Sequence, residues 1–401
     1  MLDKWAQVGS AFRHRNYRLF WCGQLISMMG TWMQNMAQGW LVLELTNSAF
    51  LLGVLVTVQF LPVTLLTLFA GVVADHVPKR KVLIITQSVM LTLAAVLGTL
   101  VYFQAVRYWH VLVLAAVLGL ANTFDMPTRQ SFVVEMVGQE DLTNAIALNS
   151  SVFNVGRVIG PTLAGLVIGR VGIAACFMLN AVSFIPVIAG LLMMNLPEKK
   201  WGFSMDIHLK EEVKEGLQYI RGNAVVLFSM MLLALLNVMT MNFNVVIPVL
   251  ARDTMQLGAE GFGYLMSGLG VGAFCGSLFM AAASKEGPRR RVLLAGAAGL
   301  CIFQIAVSIS RSLVLSMLLL GLTGFFMLIF TASVNSTIQM NTPDYLRGRV
   351  MSVYVLIFGG ITPIGGFISG TATDLWGAPV VMAMGAAIGL IGLVIITGKE
   401  D

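Results

Sequence analysis

"PKRKVLI" occupies residues 78–84 and "PRRRVLL" residues 288–294. Each is a knot of positive charge between long apolar runs. Cations this dense are costly inside hydrocarbon, so each copy marks a point where the chain reaches water. The two copies stand 210 residues apart, and the same offset aligns Leu52-Gly53 with Phe262-Gly263. An offset of 205 aligns Gly160, Gly165 and Gly172 with Gly365, Gly370 and Gly377. The chain therefore reads as two halves duplicated in parallel.

Composition sets the solvent. Of 401 residues, 57% are hydrophobic and only 11% charged, against about a quarter charged in ordinary soluble domains. A hydrocarbon core of about 30 Å takes about 20 helical residues to cross. Twelve apolar stretches meet that length, at 17–44, 48–74, 82–104, 108–128, 142–170, 172–195, 223–250, 259–283, 292–310, 312–340, 346–374 and 378–398. The expected fold is an all-α membrane protein of twelve transmembrane helices in two pseudo-symmetric six-helix bundles. Residues 1–195 form the first, 223–401 the second, and 196–222 a cytoplasmic linker. In that linker Val213, Leu217 and Ile220 stand among Glu and Lys, the pattern of an amphipathic helix lying on the membrane surface.

With the N-terminus inside, the cytoplasmic segments hold 20 of the 25 Lys and Arg. The outer segments hold Arg107, Arg170, Arg252 and Arg311, and Arg157 falls within a span. This asymmetry puts both termini in the cytoplasm. The formal net charge of +6 is thus topological, with no nucleic-acid partner implied. The N-terminus is polar and basic, unlike a removable signal peptide, so the first helix directs insertion. Cys22, Cys176, Cys275 and Cys301 lack metal-type spacing, which points to neither a disulfide framework nor a zinc site. No phosphate loop, nucleophile elbow or deep histidine is present, so neither an enzyme nor a cofactor is expected.

"GVVADHVPKRK" runs from Gly71 to Lys81. Gly71 is suited to close backbone approach, and Asp75 to the positive N-terminal end of a neighbouring helix. The eleventh predicted helix starts on the same side, with Arg347 and Arg349 in its first turn. Asp75 is expected to latch onto it, with Lys79, Arg80 and Lys81 bracing Asp75 and Asp125. In the fifth helix "NVGRVIGPTLAG" places Gly156, Gly160, Pro161 and Gly165 on a smooth, kinked face. Gly268, Gly272 and Gly276 repeat the four-residue spacing in the eighth helix, so these two faces are expected to meet.

The 71–81 segment resembles the major facilitator signature between helices 2 and 3, with His76 and Pro78 departing from its usual arginine and glycine. The fifth-helix motif resembles that of the drug:proton antiporters. Together with "FDMPTRQSFVVEMV" (124–137) and "TPDYLRGRVMSVY" (342–354), the chain resembles the subfamily of the enterobactin exporter and macrolide efflux proteins. The resemblance implies alternating-access export of hydrophobic or amphipathic small molecules in exchange for protons, from the inner membrane of a bacterium. A dedicated siderophore exporter, a lipid or solute importer and a non-transporting receptor or scaffold remain open. The expected partners are a small-molecule substrate, protons and the lipid bilayer, with the protein a monomer.

Arg157 is the ionisable residue deepest in a span, either as an anchor for an anionic group or as a structural arginine held by Asn154. Asp125 is the leading proton carrier, four residues before Arg129 and on one helix face with it. Glu44 and Glu135, at span ends, are weaker candidates. The first helix carries a polar stripe of Gln24, Thr31, Asn35 and Gln38, and the seventh echoes it with Asn237 and Asn244. The resemblance implies that helices 1, 4, 7 and 10 line the path, which makes these residues, with Phe325 and Asn335 of helix 10, candidates for substrate binding.

Overall fold

The computed structural model describes residues 9–195, 209–283 and 290–397, without the side chains of Leu68, Val72, Ala74, Asp75, residues 209–214 and Ala283. All regular structure among the described residues is helical. In chain order the helices are α1 Arg15–Thr46, α2 Ala49–His76, α3 Lys79–Tyr102, α4 Tyr108–Val137, α5 Leu142–Arg170 and α6 Ile173–Leu192. They continue as α7 Leu209–Gly222, α8 Ala224–Thr240, α9 Phe243–Val249, α10 Ala259–Ala283 and α11 Arg290–Ile309. The last four are α12 Leu313–Met340, α13 Asp344–Phe358, α14 Thr362–Trp376 and α15 Ala378–Thr397. Among the described residues, 11 helical segments are long and apolar enough to cross a membrane. The 32-residue α1 is not one of them, because Gln24, Gln34, Asn35, Gln38 and Glu44 dilute its hydropathy.

Two of the stretches expected as single helices are broken. The seventh pauses at Met241-Asn242 between α8 and α9, then ends in a π-helical turn, Leu250–Thr254. Asn242 turns its side-chain amide back onto Val238 O at 2.7 Å and takes the place of a continuing backbone donor. The eleventh breaks at Gly359–Ile361 between α13 and α14. Pro363 has no N–H to offer Gly359 O, which accepts instead from Thr362 N at 3.3 Å. In lipid, such breaks persist where side chains or neighbouring helices satisfy the freed backbone.

The chain divides into two compact units: Met1–Leu41 with Leu65–Met205, and Val42–Thr64 with Asp206–Asp401. This differs from a division at the linker, because Val42–Thr64 lies with the second unit. The reason is a row of close contacts between the first half of α2 and α14. A Cβ on Gly53 would meet Gly366 O at 2.5 Å and Gly370 Cα at 2.8 Å. Thr57 donates its hydroxyl to Pro363 O at 2.9 Å, and Asp374 accepts from Ser48 Oγ at 3.0 Å and from Phe50 N at 3.2 Å. The carboxylate thus caps the positive end of α2.

Within the first unit, α1 is clasped by α5 and α6. A Cβ on Gly156 would meet Met28 Cγ at 2.7 Å, and one on Gly160 would meet Trp32 Cβ at 2.5 Å. Tyr17, Phe20, Leu83, Phe132, Val187 and Leu191 close one end of this unit in a shared apolar cluster. In the second unit α10 lies against α12, with Gly268 on Met317 O, Gly272 on Gly321 O and Gly276 on Phe325 O. Hydrocarbon provides no hydrophobic force between helices, so backbone approach at small residues provides the contact. The glycine faces of the fifth and eighth predicted helices, expected to meet each other, are therefore each filled from inside their own unit. Spacing encodes closeness but not the partner.

Candidate functional site

In the first unit, polar side chains of three helices converge on Asp125 of α4, which is 1% exposed. Thr86 Oγ1 and Gln87 Nε2, both from α3, donate to its Oδ1 at 2.8 Å each. Arg129, one turn along α4, is ion-paired with its Oδ2 and donates through Nη1 to Gln24 Oε1 of α1 at 2.6 Å. A buried carboxylate is tolerable only with such partners. The arrangement links a proton-accepting oxygen through one guanidinium to a helix carrying other uncharged polar residues. Gln87 Oε1 and Arg129 Nε are buried without a hydrogen-bond partner, which leaves the cluster room to rearrange. Thr86 and Gln87 were not singled out from sequence; their only signal is a polar pair inside the apolar run "KVLIITQSVM".

The basic loop is organised otherwise than expected. Lys79 donates to Glu135 Oε1 at 2.8 Å, on α4. Arg80 donates to Leu191 O at 2.6 Å and Leu192 O at 2.7 Å, and so satisfies the carbonyls at the negative end of α6. Lys81 is exposed. Asp125 has Arg129 as its ion-pair partner. A Cβ at Gly71 would meet nothing within 4 Å among the described residues. The Asp75 side chain lies outside the described residues. The arginines proposed to receive it have other partners: Arg347 pairs with Asp344 at 2.6 Å, and Arg349 with Glu215 of α7.

That last pair docks the linker helix onto α13. Gly216 sits against Arg349 O, the Tyr219 hydroxyl donates to Asn341 O, and Ile220 is buried. In this contact α7 turns Ile220 inward, while Leu217 stays exposed and the Val213 side chain is outside the described residues.

Along α1, Thr31 donates to Ser27 O at 2.9 Å within its own helix, and Asn35 is exposed. Gln38 is buried with Nε2 unpartnered. Gln34, not among the candidates, accepts from Asn180 Nδ2 of α6 at 2.7 Å. Arg157 donates through Nη2 to Asn154 Oδ1 at 2.9 Å, and its guanidinium carbon lies 5.8 Å from the Phe153 ring centroid. Its Nε is buried without a partner. Pro161 and Gly165 are buried on the same helix.

In the second unit Asn237 is buried and donates to Phe358 O at 2.7 Å, which satisfies the carbonyl at the end of α13. Asn244 is exposed, as is Glu44 at the end of α1. Phe325 packs beside Phe279, at 5.7 Å between centroids, in the seam between α12 and α10. Asn335 Oδ1 accepts from Gln339 Nε2 at 2.6 Å, and its side chain shares a hydrogen bond with Tyr354.

Residues 7–399 match the family described as transmembrane secretion effector. The chain is 24% identical over 368 residues to the staphyloferrin A transporter of Staphylococcus aureus, covering 90% of each protein. It is 25% identical over 370 residues to the multidrug efflux pump Tap of Mycolicibacterium fortuitum, covering 89% of each. Macrolide efflux protein A of Streptococcus pyogenes is 23% identical over 389 residues, covering 90% of this chain and 91% of that one. The fold is similar to that of the nucleoside transporter NupG, with TM-score 0.76, 12% identity and coverage of 96% and 99%. It is also similar to a bacterial homologue of the iron transporter ferroportin in an inward-facing state, with TM-score 0.70, 16% identity and coverage of 96% and 98%. The chain belongs to the transmembrane secretion effector family of major facilitator transporters, and is a multi-pass membrane protein.

Proposed function

We propose that this protein is a monomeric secondary exporter of hydrophobic or amphipathic small molecules that exchanges its cargo for protons by alternating access. In this reading α1 is also a membrane span, giving twelve in two six-helix bundles, 1–195 and 223–401, joined by 196–222. It resides in the inner membrane of a bacterium with both termini in the cytoplasm.

The observation that carries the reading is the Asp125–Arg129–Gln24 chain. Protonating Asp125 removes the charge that holds Arg129, and the freed guanidinium changes its hold on Gln24 and so on α1, which bears the polar stripe. Deprotonation restores the pair. Protonation and the position of α1 are thereby alternatives in one switch, which is what antiport requires. Multidrug and macrolide efflux among the relatives supports the cargo class. The test is purified protein in liposomes with an imposed proton gradient, using an internal pH dye and a macrolide. Macrolide-stimulated proton flux is expected; macrolide movement unaffected by collapse of the gradient would refute coupling.

A second reading, a siderophore exporter, is favoured by the unpartnered buried Nε of Arg157 and by the staphyloferrin relative. A guanidinium suits a carboxylate-rich cargo. Arg157→Gln should then abolish export of a carboxylate siderophore while sparing a neutral macrolide. Equal losses would make Arg157 structural.

A further inference from the structure

Charges of opposite sign hold the turn between α1 and α2 from its two sides. α1 ends at Thr46, Asn47 takes a left-handed conformation with φ 52°, and α2 opens at Ala49. The negative end of one helix thus stands beside the positive end of the next. Arg252, in the π-helical turn that closes the seventh span, donates through Nη1 to Leu43 O at 2.7 Å, one of the last carbonyls of α1. Its Nε and Nη2 donate to the Asp253 carboxylate at 2.5 and 3.0 Å, which aims the guanidinium. At the other helix end, Asp374 accepts from Ser48 Oγ and Phe50 N. Asp374 stands two residues before the end of α14, where its own helix disfavours a negative charge; the start of α2 is what favours it.

The contact is also built to release. Ser48 Oγ accepts from Leu51 N at 3.2 Å, so α2 keeps a cap when Asp374 leaves. Asp374 is exposed and Arg252 partly so, which lets water take over each bond. Next along α2 the packing is Gly53 on Gly370, without side chains that must disengage.

We infer that Arg252 and Asp374 are positioning residues of the export cycle: a two-charge clasp that closes the α1–α2 turn onto α14 and the end of the seventh span, and opens each time cargo leaves on that side. The inference rests on the exporter reading, whose orientation puts this turn on the outer face. In this role neither residue touches cargo; each acts through the helix end it holds.

The test uses full-length protein in liposomes with erythromycin as cargo and with Cys22 and Cys275 replaced by Ala. Ser48→Cys with Asp374→Cys places two thiols where the hydroxyl and carboxylate meet at 3.0 Å, and a short bifunctional methanethiosulfonate bridges them. Bridging should slow erythromycin transport about tenfold or more, as locking a required opening does. A reductant should restore the rate, a reversal that a merely structural defect does not show. A second measurement needs no bridge. In Thr57→Cys protein, Asp374→Ala and Arg252→Ala should each speed labelling by an impermeant maleimide about tenfold, the equivalent of about 1.4 kcal/mol for a charge lost from a helix end with its hydrogen bonds. Arg311→Ala, which releases carbonyls of its own loop, should leave labelling unchanged. Bridged protein that transports at the unbridged rate, or labelling that is equal in all three variants, overturns the clasp and leaves the exporter reading standing. Wild-type protein that moves no erythromycin sinks the exporter reading, and the clasp's place in export with it.

Discussion

Thr64 donates its hydroxyl to Gly360 O at 2.9 Å, at the place where the α13–α14 span breaks. Just beyond it, Ile364 N and Gly365 N both donate to Ile361 O, so the backbone ladder tightens as α14 begins. Thr64, Thr57, Gly53 and Ser48 thus follow α14 from the break to Asp374, and the run explains why residues 42–64 lie with the second unit.

If that row is a releasable seam, Gly53→Val should open it, because a side chain there collides with Gly366 O and Gly370 Cα. A cysteine at Thr57, with Cys22 and Cys275 replaced by Ala, should then react with a membrane-impermeant maleimide about tenfold faster, given that a clash of this kind costs about 1–3 kcal/mol. Unchanged labelling would mean that the seam absorbs the side chain.

Asp125→Asn should retain folded protein and cargo binding but lose gradient-driven transport by tenfold or more, as removal of a proton carrier requires. Asp125→Ala strips the partner from Arg129 and two buried donors, and should cost about 3 kcal/mol of stability, the lower end for a broken buried pair because Arg129 is partly exposed. Thermal unfolding in detergent, read beside liposome transport, separates the two substitutions. Gradient-driven transport at wild-type rate in Asp125→Asn would move coupling elsewhere.

The linker clasp separates charge from shape. The Glu215–Arg349 pair is well exposed, so Glu215→Gln should change stability by less than about 1 kcal/mol. Gly216→Val pushes a side chain into Arg349 O, 3.1 Å from where its Cβ would stand, and should lower the melting temperature by several times as much. A larger effect from Glu215→Gln than from Gly216→Val would reverse this ranking.

Acid sensitivity has an identifiable contributor at the start of α5. Hydrogen bonds from the Ser10 hydroxyl and the His14 ring hold the Asp141 carboxyl below its ordinary value. The unfolded chain therefore takes up this proton more readily than the folded one. The contribution is complete above the unfolded value of about 4 and is lost as pH falls through the lower folded value. Asp141→Asn should lower stability near neutrality, where the contribution is complete, and flatten the profile below about pH 4, where it is lost. Parallel profiles for the two proteins would exclude Asp141.

Hydropathy and charge made the membrane spans legible, because the cost of polar groups in hydrocarbon overrides local preference. The predicted 108–128 span lies inside α4 and 312–340 matches α12 to within a residue. The pairing of Asp125 with Arg129 could be anticipated from their spacing on one helix face. Thr86 and Gln87 could not, because a polar side chain in an apolar run shows its role only when a neighbouring helix supplies the partner. The same holds for the carbonyl that Asn237 caps, which exists only because α13 breaks after Phe358.

By itself, the order of residues determined how many apolar crossings to expect, the internal duplication and which faces carry small or polar side chains, since each is a property of a single segment in lipid. Only the tertiary structure decided what each face meets: α5 on α1, α10 on α12, and the early part of α2 along α14. Those choices depend on distances between segments far apart in the chain, where packing rather than hydropathy discriminates one partner from another.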